Sequence, residues 1–213
     1  MASCASVDKK VCLNIVIMER DKKLLYVHGF ASSGSSGTVM TLRRHLDEWR
    51  VIAPDLPVDP FEALDLLRSV VAEEKPDVVM GTSMGGMYVQ QLWGVSRIIV
   101  NPSFEMSRSL LFGKMGRNKY MSKRKDGATE FRIDKAVVER FKQMEKTQFD
   151  GVNDDEKKLV TALFGDKDPV VNFYSLVADL YGEDKCVRFR GEHRLNDEIV
   201  KKVVIPVIQK FVD

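Results

Sequence analysis

Short β-branched apolar runs alternate along the chain with longer stretches of helical period, the pattern of a mostly parallel sheet with helices on both faces. The runs predict strands over 11–18, 24–28, 50–53, 77–81, 97–100, 159–164 and 185–190. Several of them, such as DVVMG and RIIV, are apolar nearly throughout, as strands covered on both faces must be. Between them the period predicts helices near 36–48, 60–75, 84–93, 134–149, 170–181 and 195–212. The second has a readable start, with Asp59 as N-cap, Pro60 at the first helical position and Glu62 in the first turn. Pro206 falls inside the last pattern and predicts a kink or break there.

One region departs from the alternation. Residues 104–131 carry no clean period, and 106–125 hold seven basic residues and no acidic one. This stretch reads as an irregular basic insertion, a mobile and solvated loop. With no repeat, low-complexity tract or Pro/Gly linker, residues 1–213 predict a single α/β domain carrying that insertion.

Composition narrows the function classes. Hydrophobic residues at 44% and charged residues at 30% are the balance of a folded globular chain. Lysine and arginine total 33 against 31 acidic residues, a net charge of +2, which gives no reason to expect a nucleic-acid partner. Cys4, Cys12 and Cys186 match no zinc or redox spacing, and no metal or organic cofactor is expected. The apolar run at 11–18 is far shorter than the ~18 residues of a membrane span, and the first residues lack a secretory pattern. A cytoplasmic chain without a membrane partner is the expectation.

The strongest chemical signal is GTSMG at 81–85, set between the strand-like DVVM and a helical pattern. A strand that turns at once into a helix strains the residue at the turn and holds its side chain above the sheet edge. Strand and helix crowd each other there, so Gly81, Gly85 and Gly86 supply the missing bulk and Ser83 is the candidate nucleophile. The G-x-S-x-G letters alone occur often by chance; the setting carries the weight.

A nucleophile of this kind needs two backbone N–H donors for the oxyanion. Met84 follows the serine, and Phe30 follows His28-Gly29 in the loop after the strand at 24–28, so these two are the expected donors. The Phe30 ring is then free to wall a pocket. The loop's Gly29 and Gly34 mimic a phosphate cradle, but Ser35-Ser36 stands where a P-loop needs Lys-Ser/Thr, and the nucleotide reading fails. His28 and Gly29 are expected beside the substrate, with His28 also able to brace the loop.

The general base in this layout follows the acid in chain order. Of His28, His45 and His193, only His193 comes late enough, in GEHRLND before the last helix. The orienting acid comes from LVTALFGDKDPVV, where Asp168 fits the run G-x-x-D-x-x-V and Asp166 stands as the alternative, a turn or capping residue otherwise. Ser83, Asp168 and His193 together predict acyl transfer through a covalent acyl-enzyme.

These segments resemble the α/β-hydrolase superfamily and, within it, the small YqiA-like esterases. The matching pieces are LYVHGFASS at 25–33, IAPDLP at 52–57, GTSMGGMYVQQL at 81–92 and IIVNPSF at 98–104, followed by the late acid and histidine. The resemblance spans roughly residues 24–212 and implies an α/β-hydrolase fold with a minimal lid or none, acting on short acyl esters. In that family a small and then an aromatic residue commonly follow the histidine; here Arg194 and Leu195 do.

The expected function is a serine esterase-type hydrolase of a small carboxylic ester or thioester. Acyl transfer or carbon–carbon cleavage by the same residues, and a hydrolase fold kept as a binding or scaffold protein, are the alternatives. In the basic insertion, Arg108, Lys114, Arg117 or Lys119 would draw an anionic acyl substrate, while Leu110, Leu111, Phe112 and Tyr120 would wall an acyl pocket or pack the loop down. Arg108 and Phe112 are the substrate-contacting candidates taken from it.

Overall fold

The structure is a computed structural model that describes residues 21–211. In chain order its first half runs β1 (Lys22–Val27), α1 (Gly37–His45), β2 (Trp49–Ile52), α2 (Pro60–Glu74), β3 (Val78–Thr82), α3 (Met84–Val89) and β4 (Arg97–Val100). An insertion comes next, with α4 (Met106–Gly113), β5 (Gly116–Lys119), β6 (Glu130–Ile133), α5 (Lys135–Thr147) and α6 (Asp154–Lys158). The chain then completes the sheet with β7 (Val160–Gly165), α7 (Tyr174–Tyr181) and β8 (Cys186–Phe189). The strand expected at 11–18, with Cys4 and Cys12, lies outside the described residues.

Among the described residues six strands make one all-parallel sheet in the order β2-β1-β3-β4-β7-β8. Successive side chains on each strand enter opposite cores. Leu25, Val27, Val79, Ile99 and Ala162 face α2, α3, α5 and α7. Leu24, Tyr26, Val78, Ile98 and Leu163 face α1 and the C-terminal helix. Both faces are therefore apolar, which is why these strands read as runs rather than as alternation. All parallel strands end on one edge, so the loops that leave them converge there.

Local signals explain the helix positions. The Asp59 carboxylate accepts from the Phe61 N–H at 2.9 Å and the Glu62 N–H at 3.3 Å, with Pro60 at the first turn, so α2 begins where its cap predicts. In α5 the buried Val137, Val138, Phe141 and Met144 form one stripe at helical spacing. The last helix is interrupted as Pro206 requires: a short α8 (Asp197–Ile199) widens into a π turn over Val200–Val204 before α9 (Ile205–Gln209). Pro206 has no N–H to give the carbonyl one turn back, and the helix accommodates the missing bond by widening.

The basic segment, though largely exposed, is not the irregular stretch its missing period predicts. Residues 106–113 are helical, with Met106 and Leu110 buried, and β5 pairs with β6 as an antiparallel hairpin. The hairpin loop is fastened to the loops after β1 and β2. Met121 donates its N–H to the Ala31 carbonyl at 2.8 Å, Ser33 Oγ donates to the Lys123 carbonyl at 2.8 Å, and the Asp55 carboxylate accepts from the Lys125 and Gly34 N–H groups at 2.7 and 2.8 Å. Arg124 is buried, donates to the Leu56 carbonyl at 3.1 Å and stacks over Tyr120. Two four-residue strands and an eight-residue helix are too short for periodicity to reveal, and the hydrogen bonds that hold them are made by residues far away in sequence. This small cover lies over the carboxyl ends of β1 and β2.

Candidate active site

The site is built on the sheet's carboxyl edge from the ends of five adjacent strands. Ser83 terminates β3 with φ +55° and ψ −123°, a conformation that few non-glycine residues adopt. Three backbone bonds hold it there. Its N–H donates to the Val100 carbonyl at 3.0 Å, and its carbonyl accepts from the Gly86 N–H at 2.9 Å and the Ser103 N–H at 3.0 Å. The two framing glycines have no alternative: a Cβ on Gly81 would lie 2.3 Å from the Gly85 carbonyl oxygen, and one on Gly85 would lie 2.1 Å from that of Val27. Behind the serine, α3 starts at Met84 with its N-terminal end turned to the site.

Ser83, His193 and Asp168 are distant in the chain, serine and histidine 110 positions apart and histidine and aspartate 25 positions apart, yet they meet in one line. Ser83 Oγ lies 2.9 Å from His193 Nε2, and His193 Nδ1 lies 2.7 Å from Asp168 Oδ2. With its proton on Nδ1 the imidazole donates to the carboxylate and accepts from the serine hydroxyl. The Asp168 side chain is almost wholly buried, and its other oxygen accepts from the Val170 and Val171 N–H groups at 2.7 and 3.1 Å. That turn around Pro169 accounts for the G-x-x-D-x-x-V spacing. Asp166 does something else: its carboxylate accepts from the Gly191 N–H at 3.0 Å, tying the end of β7 to the start of the histidine loop.

Phe30 and Met84 flank the serine from the β1 loop and from α3. Neither backbone N–H has a hydrogen-bond partner among the described residues. Gly29 is pressed against the serine, where a Cβ would sit 3.3 Å from that of Ser83. His28 is buried beneath this loop with both ring nitrogens engaged: Nδ1 is 2.9 Å from the Gly29 carbonyl, and Nε2 accepts from the Leu56 N–H at 3.2 Å. Burial holds its pKa below the usual imidazole value, against the opposing pull of the Gly29 carbonyl and the Asp55 charge. The neutral ring thus braces the loop and forms part of the floor of an adjacent cleft.

That cleft is apolar. Phe30, Leu56, Met84, Tyr120, Phe131 and Phe141 line it, with Phe30 edge-on to Phe131 at 5.3 Å and Tyr120 against Phe131 at 4.5 Å between centroids. Arg108 and Phe112 are not brought to it. The Arg108 side chain is 76% exposed beside Glu105, and Phe112 is 80% exposed. Both lie on the face of α4 opposite the buried Met106 and Leu110, and helix formation is what turns them outward. Leu111 is likewise exposed, whereas Leu110 joins the core and Tyr120 the cleft wall.

Two residues of consequence escape a reading of the sequence. Asn101, in the segment VNPSF after β4, is 1% exposed with φ +43°. Its amide nitrogen donates to the Glu192 and His193 carbonyls at 3.0 and 3.2 Å, and its oxygen accepts from the Gly165 N–H at 2.7 Å. Asparagine after a strand was a signal, since it tolerates the left-handed region, but its partners are 91 and 92 residues away. Arg124 was hidden among its basic neighbours. Among the described residues no cluster of His, Cys, Asp or Glu is arranged to hold a metal ion, and no helix is long and apolar enough to cross a membrane.

The sheet order, the strained serine after β3 and the late histidine loop define an α/β-hydrolase fold. Solved structures agree on the fold. Est1E from Butyrivibrio proteoclasticus superposes with a TM-score of 0.63 at 19% identity, covering 91% of this chain and 90% of that one. The esterase domain of a Rhodothermus marinus protein gives 0.62 at 18%, covering 93% and 90%. A monoacylglycerol lipase from Paleococcus ferrophilus gives 0.61 at 12%, covering 89% and 93%. Within this fold the chain belongs to UPF0227, the YqiA-like family described as an uncharacterised protein family, whose model matches residues 23–204.

Proposed function

We propose that the protein is a serine hydrolase that cleaves a small carboxylic ester or thioester through an acyl-enzyme on Ser83. The observation that carries this reading is the continuous hydrogen-bonded line from Ser83 Oγ through His193 to Asp168, at 2.9 and 2.7 Å. A serine held at φ +55° between strand and helix is the strained turn that presents a nucleophile above a sheet edge, and a buried carboxylate aimed at an imidazole is the arrangement that fixes its tautomer. Similarity of fold to an esterase domain and a monoacylglycerol lipase supports ester hydrolysis as the reaction class.

His193 Nε2 takes the Ser83 proton as Oγ attacks the acyl carbon, and Asp168 stabilises the imidazolium that forms. The oxyanion is met by the free N–H groups of Phe30 and Met84 and by the N-terminal end of α3. His193 then gives its proton to the leaving oxygen or sulfur as the bond to the leaving group breaks, and the acyl group stays on Ser83. Water then attacks the acyl carbon as His193 removes its proton, and His193 returns that proton to Ser83 Oγ as the acyl–Oγ bond breaks and the carboxylic acid departs.

A fluorophosphonate probe tests this directly. It should label Ser83 in the wild type, and Ser83→Ala should abolish both labelling and p-nitrophenyl acetate hydrolysis. Undiminished turnover by the alanine variant overturns the assignment.

A further inference from the structure

We propose that the tip of the insertion, where α4 turns into β5, docks on an anionic lipid surface, with Leu111, Phe112 and Met115 entering the lipid and the lysines and arginines around them meeting its headgroups. This inference is independent of the serine-hydrolase reading. The expected absence of a membrane partner follows from the missing apolar span, which bears on crossing a membrane and not on lying against one.

Helical spacing gives α4 apolar residues on two sides. Met106 and Leu110 are buried against the domain, whereas Leu111, Phe112 and, just past the helix, Met115 are 50, 80 and 41% exposed. Packing thus leaves three large apolar side chains together on the outer side, uncovered by any described part of the chain. The tip that carries them is ordered. Asn118 Nδ2 donates to the Lys114 and Gly116 carbonyls at 2.7 and 3.2 Å, which ties the end of α4 to the start of β5, and β5 is paired with β6. Docking therefore does not have to repay the entropy of folding it.

The same tip is cationic. Arg108, Lys114, Arg117, Lys119 and, across the hairpin from Arg117, Arg132 are all exposed. Two carboxylates answer them. Glu105 lies 3.7 Å from Arg108 and Glu130 lies 3.4 Å from Arg117, and such exposed pairs count for little in water. Lys114, Lys119 and Arg132 have no ion-pair partner among the described residues. The helix α5, which packs beside α4, adds exposed Lys135, Lys142 and Lys146 against a single exposed acid, Glu139.

Charge and shape together choose the occupant. An apolar centre ringed by lysine and arginine is the arrangement of a surface-lying lipid anchor: aromatic and aliphatic side chains sink below the headgroups while the long cationic chains reach back to them. A folded partner would have to offer a pocket to a Phe112 ring that projects at 80% exposure, whereas a lipid surface takes projecting side chains without one. A second copy docked face to face would set the same cations against each other.

The test is co-sedimentation of the full chain with large unilamellar vesicles of phosphatidylcholine alone or mixed with phosphatidylglycerol. Each cation near an anionic surface is worth about 5-fold, so the chain should bind the mixed vesicles at least about 10-fold more tightly than the neutral ones. Most of that preference should vanish in about 0.5 M salt. Phe112→Ser should weaken binding to the mixed vesicles at least about 10-fold by removing buried apolar area, and the double change Lys114→Gln, Lys119→Gln should do so through charge. All three side chains are exposed, so both variants should melt at the wild-type Tm. No binding to the mixed vesicles, equal binding to the neutral ones, or binding that either variant leaves unmoved overturns the proposal. Without vesicle binding, a dimer in sedimentation velocity that Phe112→Ser abolishes would assign the surface to a second copy, and binding to polyglutamate would assign it to an acidic protein; either result overturns it as well.

Discussion

The side-chain amide of Asn101 holds the backbone carbonyl of His193 at 3.2 Å, so a residue at the end of β4 fixes the segment whose imidazole meets Ser83. The same amide also takes the Glu192 carbonyl at 3.0 Å. Asparagine suits the position twice over, because it accepts φ +43° and carries a donor that can serve two carbonyls.

Asn101→Asp should separate those two roles. Aspartate tolerates the backbone conformation but presents a carboxylate oxygen to two carbonyl oxygens, which pushes the histidine loop away. A displacement of even about 1 Å at a reacting group can lower turnover about 100-fold, so kcat should fall roughly 10- to 100-fold with KM little changed. Unchanged steady-state kcat would show that the loop holds its place without this amide.

Asp168→Asn and Asp166→Asn should differ sharply. At Asp168 the amide removes the charge facing His193 and disturbs its tautomer, and kcat should fall on the order of 10³- to 10⁴-fold. At Asp166 an amide oxygen still accepts from the Gly191 N–H, so the loss should stay below about 10-fold. Equal losses in a side-by-side kinetic comparison would contradict the geometry.

Gly85→Ala tests the crowding behind Ser83. Its Cβ would be driven to 2.1 Å from the Val27 carbonyl oxygen, backbone that cannot give way cheaply, and the variant should lose at least about 3 kcal/mol of stability or fail to fold. Gly37→Ala is the control: nothing lies within 4 Å of its Cβ, and it starts α1, so it should be neutral or stabilising by up to about 1 kcal/mol. Urea titration of both variants measures the contrast.

Acidification should expose the buried imidazole of His28. Its folded pKa is held below the usual value, so just below about pH 6.5 the unfolded chain binds a proton that the folded one refuses. Stability contributed by the neutral ring is complete above that pH and declines as pH falls toward the folded pKa, with a slope of at most about 1.4 kcal/mol per pH unit. His28→Gln should flatten this part of the stability profile between about pH 7.5 and about pH 5. An identical slope in the variant would show that other groups carry the acid sensitivity.

Much of this molecule was determined along the chain itself. The strands are apolar through and through because both sheet faces are covered, and Asp59, Pro60, Gly81 and Gly85 act within a few residues of where they stand, so their roles could be read locally. The strand-to-helix turn at Ser83 and the order of Asp168 before His193 along the chain belong to the same legible part. The tertiary structure decided the rest, through contacts between residues that sequence distance hides. It chose Asp168 over Asp166 as the partner of His193, turned Arg108 and Phe112 to solvent once α4 formed, and drew Arg124 out of a run of solvated cations into a buried bond with Leu56. It also placed Asn101 under the histidine loop and Phe131 against Phe30. A pattern of residue types records which side chains prefer burial, but only the packing of distant segments determines which partners they meet there.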